Sequence, residues 1–245
     1  MKALYIIYQI CIGLPIFLVI TILTALTTIL GCWLGNGHFW GYYPGKLWSQ
    51  CTCFLFLLPI KVKGHENLDK KTSYVFVANH QGAFDIFLIY GFLGRNFKWM
   101  MKKSLRKIPF VGKACESAGF IFVDKSSPRK IYETIKKAEN VLQGGTSLVV
   151  FPEGARTYTG RMANFKKGAF FLADQLQLPV VPLTINGSFN VFPRTAKLLT
   201  WHPMQLTIHK PIYPLGKKGE DNLQMLMKES FTEIEKDLSE ENKKP

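Results

Sequence analysis

The chain has 245 residues, 47% of them hydrophobic, with a mean hydropathy of +0.07 and a formal net charge of +14 at pH 7. That length holds one sizeable α/β domain plus a membrane-associated segment, and the apolar content is high for an ordinary soluble domain. The five cysteines (Cys11, Cys32, Cys51, Cys53 and Cys115) form no CxxC pair or Cys/His cluster, so neither a metal site nor a disulfide framework is expected.

The charge is unevenly spread. Residues 1–60 carry two charged side chains, Lys2 and Lys46, whereas residues 61–216 carry 23 basic and nine acidic groups. A basic middle beside an apolar start points to docking on an anionic membrane surface and to anionic substrates. Nucleic acid is the rival partner for such charge and is not expected, because membrane-inserting segments seldom accompany nucleic-acid modules.

Ala3 to Leu30 is an uncharged run of 28 residues. As a helix it measures about 42 Å, more than the roughly 30 Å hydrocarbon core of a bilayer. Pro15 can kink it, and its threonines can bond back to their own helix. No A-x-A pattern follows, which argues against a cleaved signal peptide. Trp33, Phe39, Trp40, Tyr42 and Tyr43 then suit an interfacial belt. The apolar run Leu47 to Ile60 is too short to span and reads as re-entrant or confined to one leaflet. Residues 1–60 are therefore expected to form a membrane anchor of one or two helices, and residues 61–245 an α/β domain.

From Lys61 strands and helices alternate. Strands are expected at Tyr74–Ala78, Phe120–Val123, Leu148–Phe151, Val180–Ile185 and Gln205–His209. A helix-like stretch runs through Leu93. Another helix opens at Pro128, capped by Ser127, and closes at Gly144-Gly145. A third spans Gly168–Leu178. The last carries Leu223, Leu226, Met227, Phe231, Ile234 and Leu238 at helical spacing, a stripe read as core packing. This alternation predicts an α/β fold with a mostly parallel mixed sheet and helices on its faces.

Three segments fall where such sheets collect reactive groups, in loops beyond the carboxyl ends of strands. Asn79-His80-Gln81-Gly82-Ala83-Phe84-Asp85 follows the first strand. His80 and Asp85 would lie about 140° apart on a regular helix, but meet if His80 is in the turn and Asp85 in the first helical turn. Asp85 could then fix the imidazole tautomer and leave one nitrogen as a base, with Gly82 lending the turn its freedom. The plain alternative is a buried histidine capping a helix beside a solvated aspartate. Phe151-Pro152-Glu153-Gly154-Ala155-Arg156 offers a tight turn, a glycine that lets a ligand approach and an arginine able to grip phosphate. Its alternative is a Glu153–Arg156 salt bridge. Lys102 to Gly112 is either an exposed basic loop or an electropositive wall for a phosphate or headgroup. His38, His65, His202 and His209 have no carboxylate at a telling spacing, and the absence of a GxSxG elbow disfavours serine hydrolysis.

In this order the segments resemble the lysophosphatidate/glycerolipid acyltransferase family, bacterial 1-acyl-glycerol-3-phosphate acyltransferases in particular. Asn79, His80 and Asp85 match NHxxxxD, and Lys102, Leu105, Ile108, Pro109 and Gly112 match KxxLxxIPxxG. Gly119 to Lys125 resembles GxIFxDR, Phe151 to Arg156 matches FPEGxR, and Val180-Val181-Pro182 resembles a VxP strand. The likeness covers about residues 60–190 and the apolar N-terminal segments. Two positions depart: Gly82 stands where serine is common, and Lys125 where arginine is usual.

The resemblance implies acyl transfer from a thioester, acyl-CoA or acyl carrier protein, to the free hydroxyl of lysophosphatidic acid, giving phosphatidic acid. His80 would be the base and Asp85 its partner. Lys102 and Arg156 would hold the acceptor phosphate, and Glu153 and Gly154 would shape that pocket. Backbone amides near His80 are the expected oxyanion donors. The thioester is a co-substrate, so no cofactor is expected. The lipid partner and the cytosolic origin of thioesters place the protein at the inner, cytoplasmic membrane with its site facing the cytoplasm. The rival readings are the same chemistry on another lysophospholipid or hydroxy-lipid, and a catalytically silent lipid-binding protein.

Overall fold

The computed structural model describes residues 2–124, 126–143 and 145–243. The chain opens with α1 (Lys2–Tyr8) and α2 (Leu14–Leu34), joined through a π-turn at Gln9–Gly13 into one helix, Lys2–Leu34. Leu14 donates its N–H to the Gln9 carbonyl, and this wider turn stands directly before Pro15, whose ring lacks a donor for the regular ladder. Thr21 and Thr27 bond back to the carbonyls of Phe17 and Leu23 at 2.6 and 2.9 Å. Most of this helix exposes apolar side chains, among them Leu4, Leu18, Val19, Leu23 and Leu30, and it is a candidate membrane anchor.

A one-turn helix α3 (Gly37–Trp40), capped by Asn36, leads into α4 (Tyr43–Leu55). The sheet follows: β1 (Ile60–Lys63), β2 (Val75–Ala78), β3 (Phe97–Lys102), β4 (Ile121–Val123), β5 (Ser147–Val150), β6 (Val180–Asn186) and β7 (Met204–Ile208). The connecting helices are α5 (Asp85–Phe92), α6 (Val111–Ser117), α7 (Pro128–Gln143), α8 (Gly168–Leu176), α9 (Ser188–Val191) and α10 (Glu220–Asp237). Ser127 accepts from the Lys130 amide at 3.3 Å and so caps α7, while Gly145 beyond its end has φ +79°. Gly144 and Lys125, both singled out in the sequence, lie outside the described residues.

The strand order is β1-β7-β6-β2-β5-β3-β4. The five strands from β6 to β4 are mutually parallel; β7 runs antiparallel to β6, and β1 pairs parallel with β7. The fold is thus α/β with a mostly parallel mixed sheet. Central strands are buried on both faces, which is why β2 and β5 read as continuous apolar runs. Phe76 and Ala78 of β2 face one core with residues of α4 and α5; Val75 and Val77 face the other with residues of α7, α8 and α10. Leu223, Leu226, Ile234 and Leu238 are buried in that second core, so the terminal stripe packs inward.

The N-terminal helices are fastened to the sheet. Helix α4 packs on α5, and α2 packs on α4 and α6. Tyr42, Cys53, Phe56 and Leu58 share a hydrophobic core with the strands. Tyr5 and Tyr8 donate to the carbonyls of Phe56 and Leu55, and Trp48 donates to Thr21 at 2.9 Å. Buried Gln9 exchanges two 2.9 Å bonds with the backbone of Leu199.

Because Phe76 is fully buried under α5, Phe76→Ala should cost about 3–5 kcal/mol of stability. A thermal unfolding transition in detergent unchanged from wild type would contradict that packing.

Candidate active site

Strands β2, β5, β3 and β6 are parallel, so their carboxyl ends open at one edge of the sheet. His80, the Phe151–Arg156 loop and the Gly187-Ser188 turn follow β2, β5 and β6, Lys102 is the last residue of β3, and the fold gathers them there.

The turn after β2 is clamped from both sides. The side chain of Asn79, fully buried, accepts from Ile185 N–H at 2.8 Å and donates to the Ile185 carbonyl at 2.9 Å, extending the β2–β6 pairing by one residue. Its neighbour His80 donates its backbone N–H to Glu153 Oε1 at 2.7 Å and accepts from Thr157 N–H at 3.0 Å. The histidine is therefore held at the backbone before its ring makes any contact.

The ring itself meets Asp85: Nδ1 and Oδ2 are 2.7 Å apart. Asp85 is fully buried, which removes the solvated-aspartate alternative. Its Oδ2 also accepts the backbone N–H groups of Gln81 at 2.7 Å and Gly82 at 3.1 Å, and its Oδ1 accepts the Ser188 hydroxyl. Four donors converge on one carboxyl group, an arrangement suited to a carboxylate, which accepts and donates nothing. In the neutral ring that puts the proton of His80 on Nδ1 and leaves Nε2 free to act as the base. Nε2 has no partner among the described residues, and the side chain is 14% exposed. Below the imidazole lies Phe151, stacked at 3.8 Å between centroids and 10° between planes, with Trp99 stacked on Phe151 in turn. Two rings thus fix its plane while Asp85 fixes its rotation.

Gly82 has a role different from the one its sequence position suggested. Its φ is not in the left-handed region. A Cβ there would stand 2.4 Å from the Ser188 carbonyl oxygen, a backbone atom that cannot step aside, so glycine permits close approach between the His80 turn and α9. This accounts locally for a glycine where serine is common.

The oxyanion expectation is corrected. The N–H groups of His80, Gln81, Gly82 and Ala83 are all engaged, by Glu153, Asp85, Asp85 and the Phe192 carbonyl respectively. The turn that aims the imidazole leaves those four amides no role at a developing oxyanion.

Glu153 forms no salt bridge with Arg156. It is buried, and its two oxygens accept from the backbone of His80 and of Ala163, the latter at 2.8 Å. It thereby ties β2, the FPEGAR loop and the segment at 163 together and shapes the site through the backbone. Burial pushes its carboxyl up to about 7, against the lowering pull of the two amide donors. Gly154 has φ +81°, where a side chain would be strained, and stands against the Lys166 side chain. Arg156 is half-buried and has no hydrogen-bond or ion-pair partner among the described residues. Lys102 is exposed and also has no such partner, whereas Lys103 is paired with Asp124 at 2.6 Å. Two unpaired cations therefore stand at or just beyond the carboxyl ends of the neighbouring strands β3 and β5, at the sheet edge that also bears His80. No group of three or more His, Cys, Asp or Glu residues suited to a metal occurs among the described residues.

Comparison with known proteins places this geometry. The Acyltransferase family model matches residues 59–186, just over half of the chain. The chain belongs to that family. It is 34% identical over 181 residues, 73% of its length, to a chloroplastic 1-acyl-sn-glycerol-3-phosphate acyltransferase of Arabidopsis thaliana, and spans 50% of that relative. To the 1-acyl-sn-glycerol-3-phosphate acyltransferase of Saccharomyces cerevisiae it is 34% identical over 190 residues, covering 76% of this chain and 62% of the relative. The chain thus spans between half and two-thirds of the length of these relatives. Its fold is similar to the crystal structure of the 1-acyl-sn-glycerophosphate acyltransferase of Thermotoga maritima: TM-score 0.66, 29% identity, 75% of this chain and 73% of that one. Ser188, which the sequence reading missed, lies just past the matched segment; a lone serine after a strand carries no spacing signal.

A raised carboxyl gives a signed expectation. The folded state holds a proton on Glu153 more tightly than the unfolded chain, so its contribution is complete below about 4.5 and falls as pH rises through about 7. Relative to Glu153→Gln, wild-type thermal stability should decline across that window. A pH-independent difference between the two would refute the assignment.

Proposed function

We propose that the chain is an acyltransferase that moves a fatty acyl group from a thioester, acyl-CoA or acyl carrier protein, to the free hydroxyl of 1-acyl-glycerol-3-phosphate, forming phosphatidic acid. The observation that carries this reading is the His80–Asp85 contact: a buried carboxylate orients an imidazole whose other nitrogen is unpartnered and partly exposed. The names of the relatives from Arabidopsis, yeast and Thermotoga support the acceptor.

In this mechanism Nε2 of His80 removes the proton of the acceptor hydroxyl while its oxygen attacks the thioester carbonyl. The tetrahedral adduct collapses, the C–S bond breaks, and the leaving thiolate takes the proton back from the imidazolium. Asp85 stabilises the imidazolium and keeps the proton on Nδ1 throughout. The thioester is already activated, so no protein nucleophile is required. Arg156 and Lys102 supply unpaired positive charge at the strand ends for the acceptor phosphate, Arg156 in bidentate fashion. Gly154 leaves the loop backbone open to it.

The lipid acceptor fits the chain's apolar helix. Tyr5, Tyr8, Gln9 and Thr21 bond the Lys2–Leu34 helix to the rest of the molecule along its length. Its packing against α4 and α6 favours seating in one leaflet of the cytoplasmic membrane, with the sheet edge bearing His80 on the cytoplasmic side. The basic stretch of residues 61–216 then meets anionic headgroups.

Two substitutions test the roles. Thiol release from acyl-CoA with lysophosphatidic acid should fall about 10²- to 10⁴-fold in His80→Ala; turnover that survives the change would remove the base assignment. Arg156→Ala should chiefly raise the KM for the lysolipid, by about tenfold or more, in keeping with a lost charged hydrogen bond. An unchanged KM would mean that the phosphate is held elsewhere.

A further inference from the structure

The KxxLxxIPxxG segment contributes one cation to the proposed site, and the apolar members of the motif remain unexplained by it. Leu105, Ile108 and Phe110 are 37%, 43% and 51% exposed, three large hydrophobic side chains within six residues on a surface segment. Scattered exposed leucines are ordinary; a local cluster is not.

The segment is built to hold them outward. Residues Lys103–Lys107 form a 3-10 turn, the Ile108 amide bonds to the Leu105 carbonyl, and the Gly112 amide bonds to the Ile108 carbonyl at 2.8 Å. A Cβ on Gly112 would lie 2.1 Å from the Arg106 carbonyl oxygen, so the chain folds back on itself at backbone contact. At the apex Phe110 has φ 59° and ψ −53°, and the Val111 amide bonds to the Pro109 carbonyl at 2.6 Å. That is a γ-turn of the strained, positive-φ kind, imposed on a bulky aromatic residue. Strained backbone at such a position is a pointer to function, and here it holds a phenyl ring out to solvent.

The surroundings indicate what that function is. The knuckle follows β3 at the same sheet edge as His80, and α6, which continues from it, packs on α2 of the apolar helix. Its rim is cationic. Lys102 and Lys107 have no ion-pair partner among the described residues, while Glu116 and Asp124, the acidic residues from Phe97 to Asp124, are covered by Arg106 with Lys113 and by Lys103. An apolar apex inside a positive rim, continuous with a membrane-seeking helix, matches the boundary between acyl chains and anionic headgroups.

We propose that Leu105, Ile108 and Phe110 form a wedge that enters the lipid surface at the mouth of the site, seating the His80 edge on the bilayer so that a lysolipid reaches the histidine without crossing water. The role assigned to this wedge rests on the proposed acyl transfer, so the test has one arm that does not depend on activity.

The full chain is reconstituted in mixed phosphatidylcholine–phosphatidylglycerol vesicles. Phe110→Gly removes the ring and suits the positive φ, so it should melt no lower than wild type. With long-chain lysophosphatidic acid in the vesicles its kcat/KM should fall about tenfold, the loss of one partly inserted aromatic side chain. With a short-chain, water-dispersed lysophosphatidic acid it should match wild type. No loss on vesicles, or an equal loss on both substrates, overturns the wedge. In the second arm, the emission added by Phe110→Trp should be quenched by bromine-labelled lipids. Quenching by aqueous iodide alone overturns the proposal, and this arm reads out even if the wild-type chain transfers no acyl group.

Discussion

A buried carboxylate that accepts from four donors is the constraint on which the site's geometry depends. Asp85 draws together the His80 ring, the Gln81 and Gly82 amides and the Ser188 hydroxyl. A carboxylate out of water is costly unless each lone pair finds a donor, and here the donors come from the turn after β2 and from Ser188, just beyond β6. The requirement that keeps the charge tolerable also fixes the ring. The other clamps serve the same end: Asn79 locks the turn to β6, Glu153 locks it to the loop after β5, and Gly82 lets α9 come close enough for Ser188 to bond. With the turn's amides and both Asp85 oxygens engaged, Nε2 of His80 and the side chains of Arg156 and Lys102 are left without partners among the described residues.

The N-terminal helices join this frame to their own surroundings. Their outer faces expose leucine, isoleucine, valine and tryptophan, while their inner faces share a core with β2 and α5. Gln9 reaches the segment near Leu199, and Phe56 packs on Phe84, the residue before Asp85. The N-terminal helices and the turn that bears His80 are therefore one packed unit.

Much of this was legible in the sequence, for reasons that differ by element. Strands buried on both faces declare themselves as apolar runs, so β2, β5 and β6 were placed to within a residue or two. The spacing of His80 and Asp85 permitted a turn-to-helix meeting beside a plainer structural alternative, and the resemblance to acyltransferases supplied the chemistry. Strands β1 and β3 were not read because lysines interrupt their apolar residues. The run from Leu47 to Ile60 looked like a lipid-facing segment, since composition cannot tell burial against a domain from burial in lipid; part of it packs on α5. Long-range bonds were out of reach altogether. Nothing near His80 announces that its amide is held by Glu153, that its ring lies on Phe151 or that Ser188 completes the carboxylate's shell, and the oxyanion expectation failed because those amides already had partners.

The mechanism depends on which imidazole nitrogen of His80 carries the proton. Nitrogen-15 NMR of histidine-labelled protein, assigned with His80→Gln, reads this directly at a pH where the ring is neutral. The geometry requires protonated Nδ1 and bare Nε2, with that preference weakened in Asp85→Asn. A neutral ring protonated at Nε2 in the wild-type protein would leave no base facing the acceptor and would contradict the mechanism at its root.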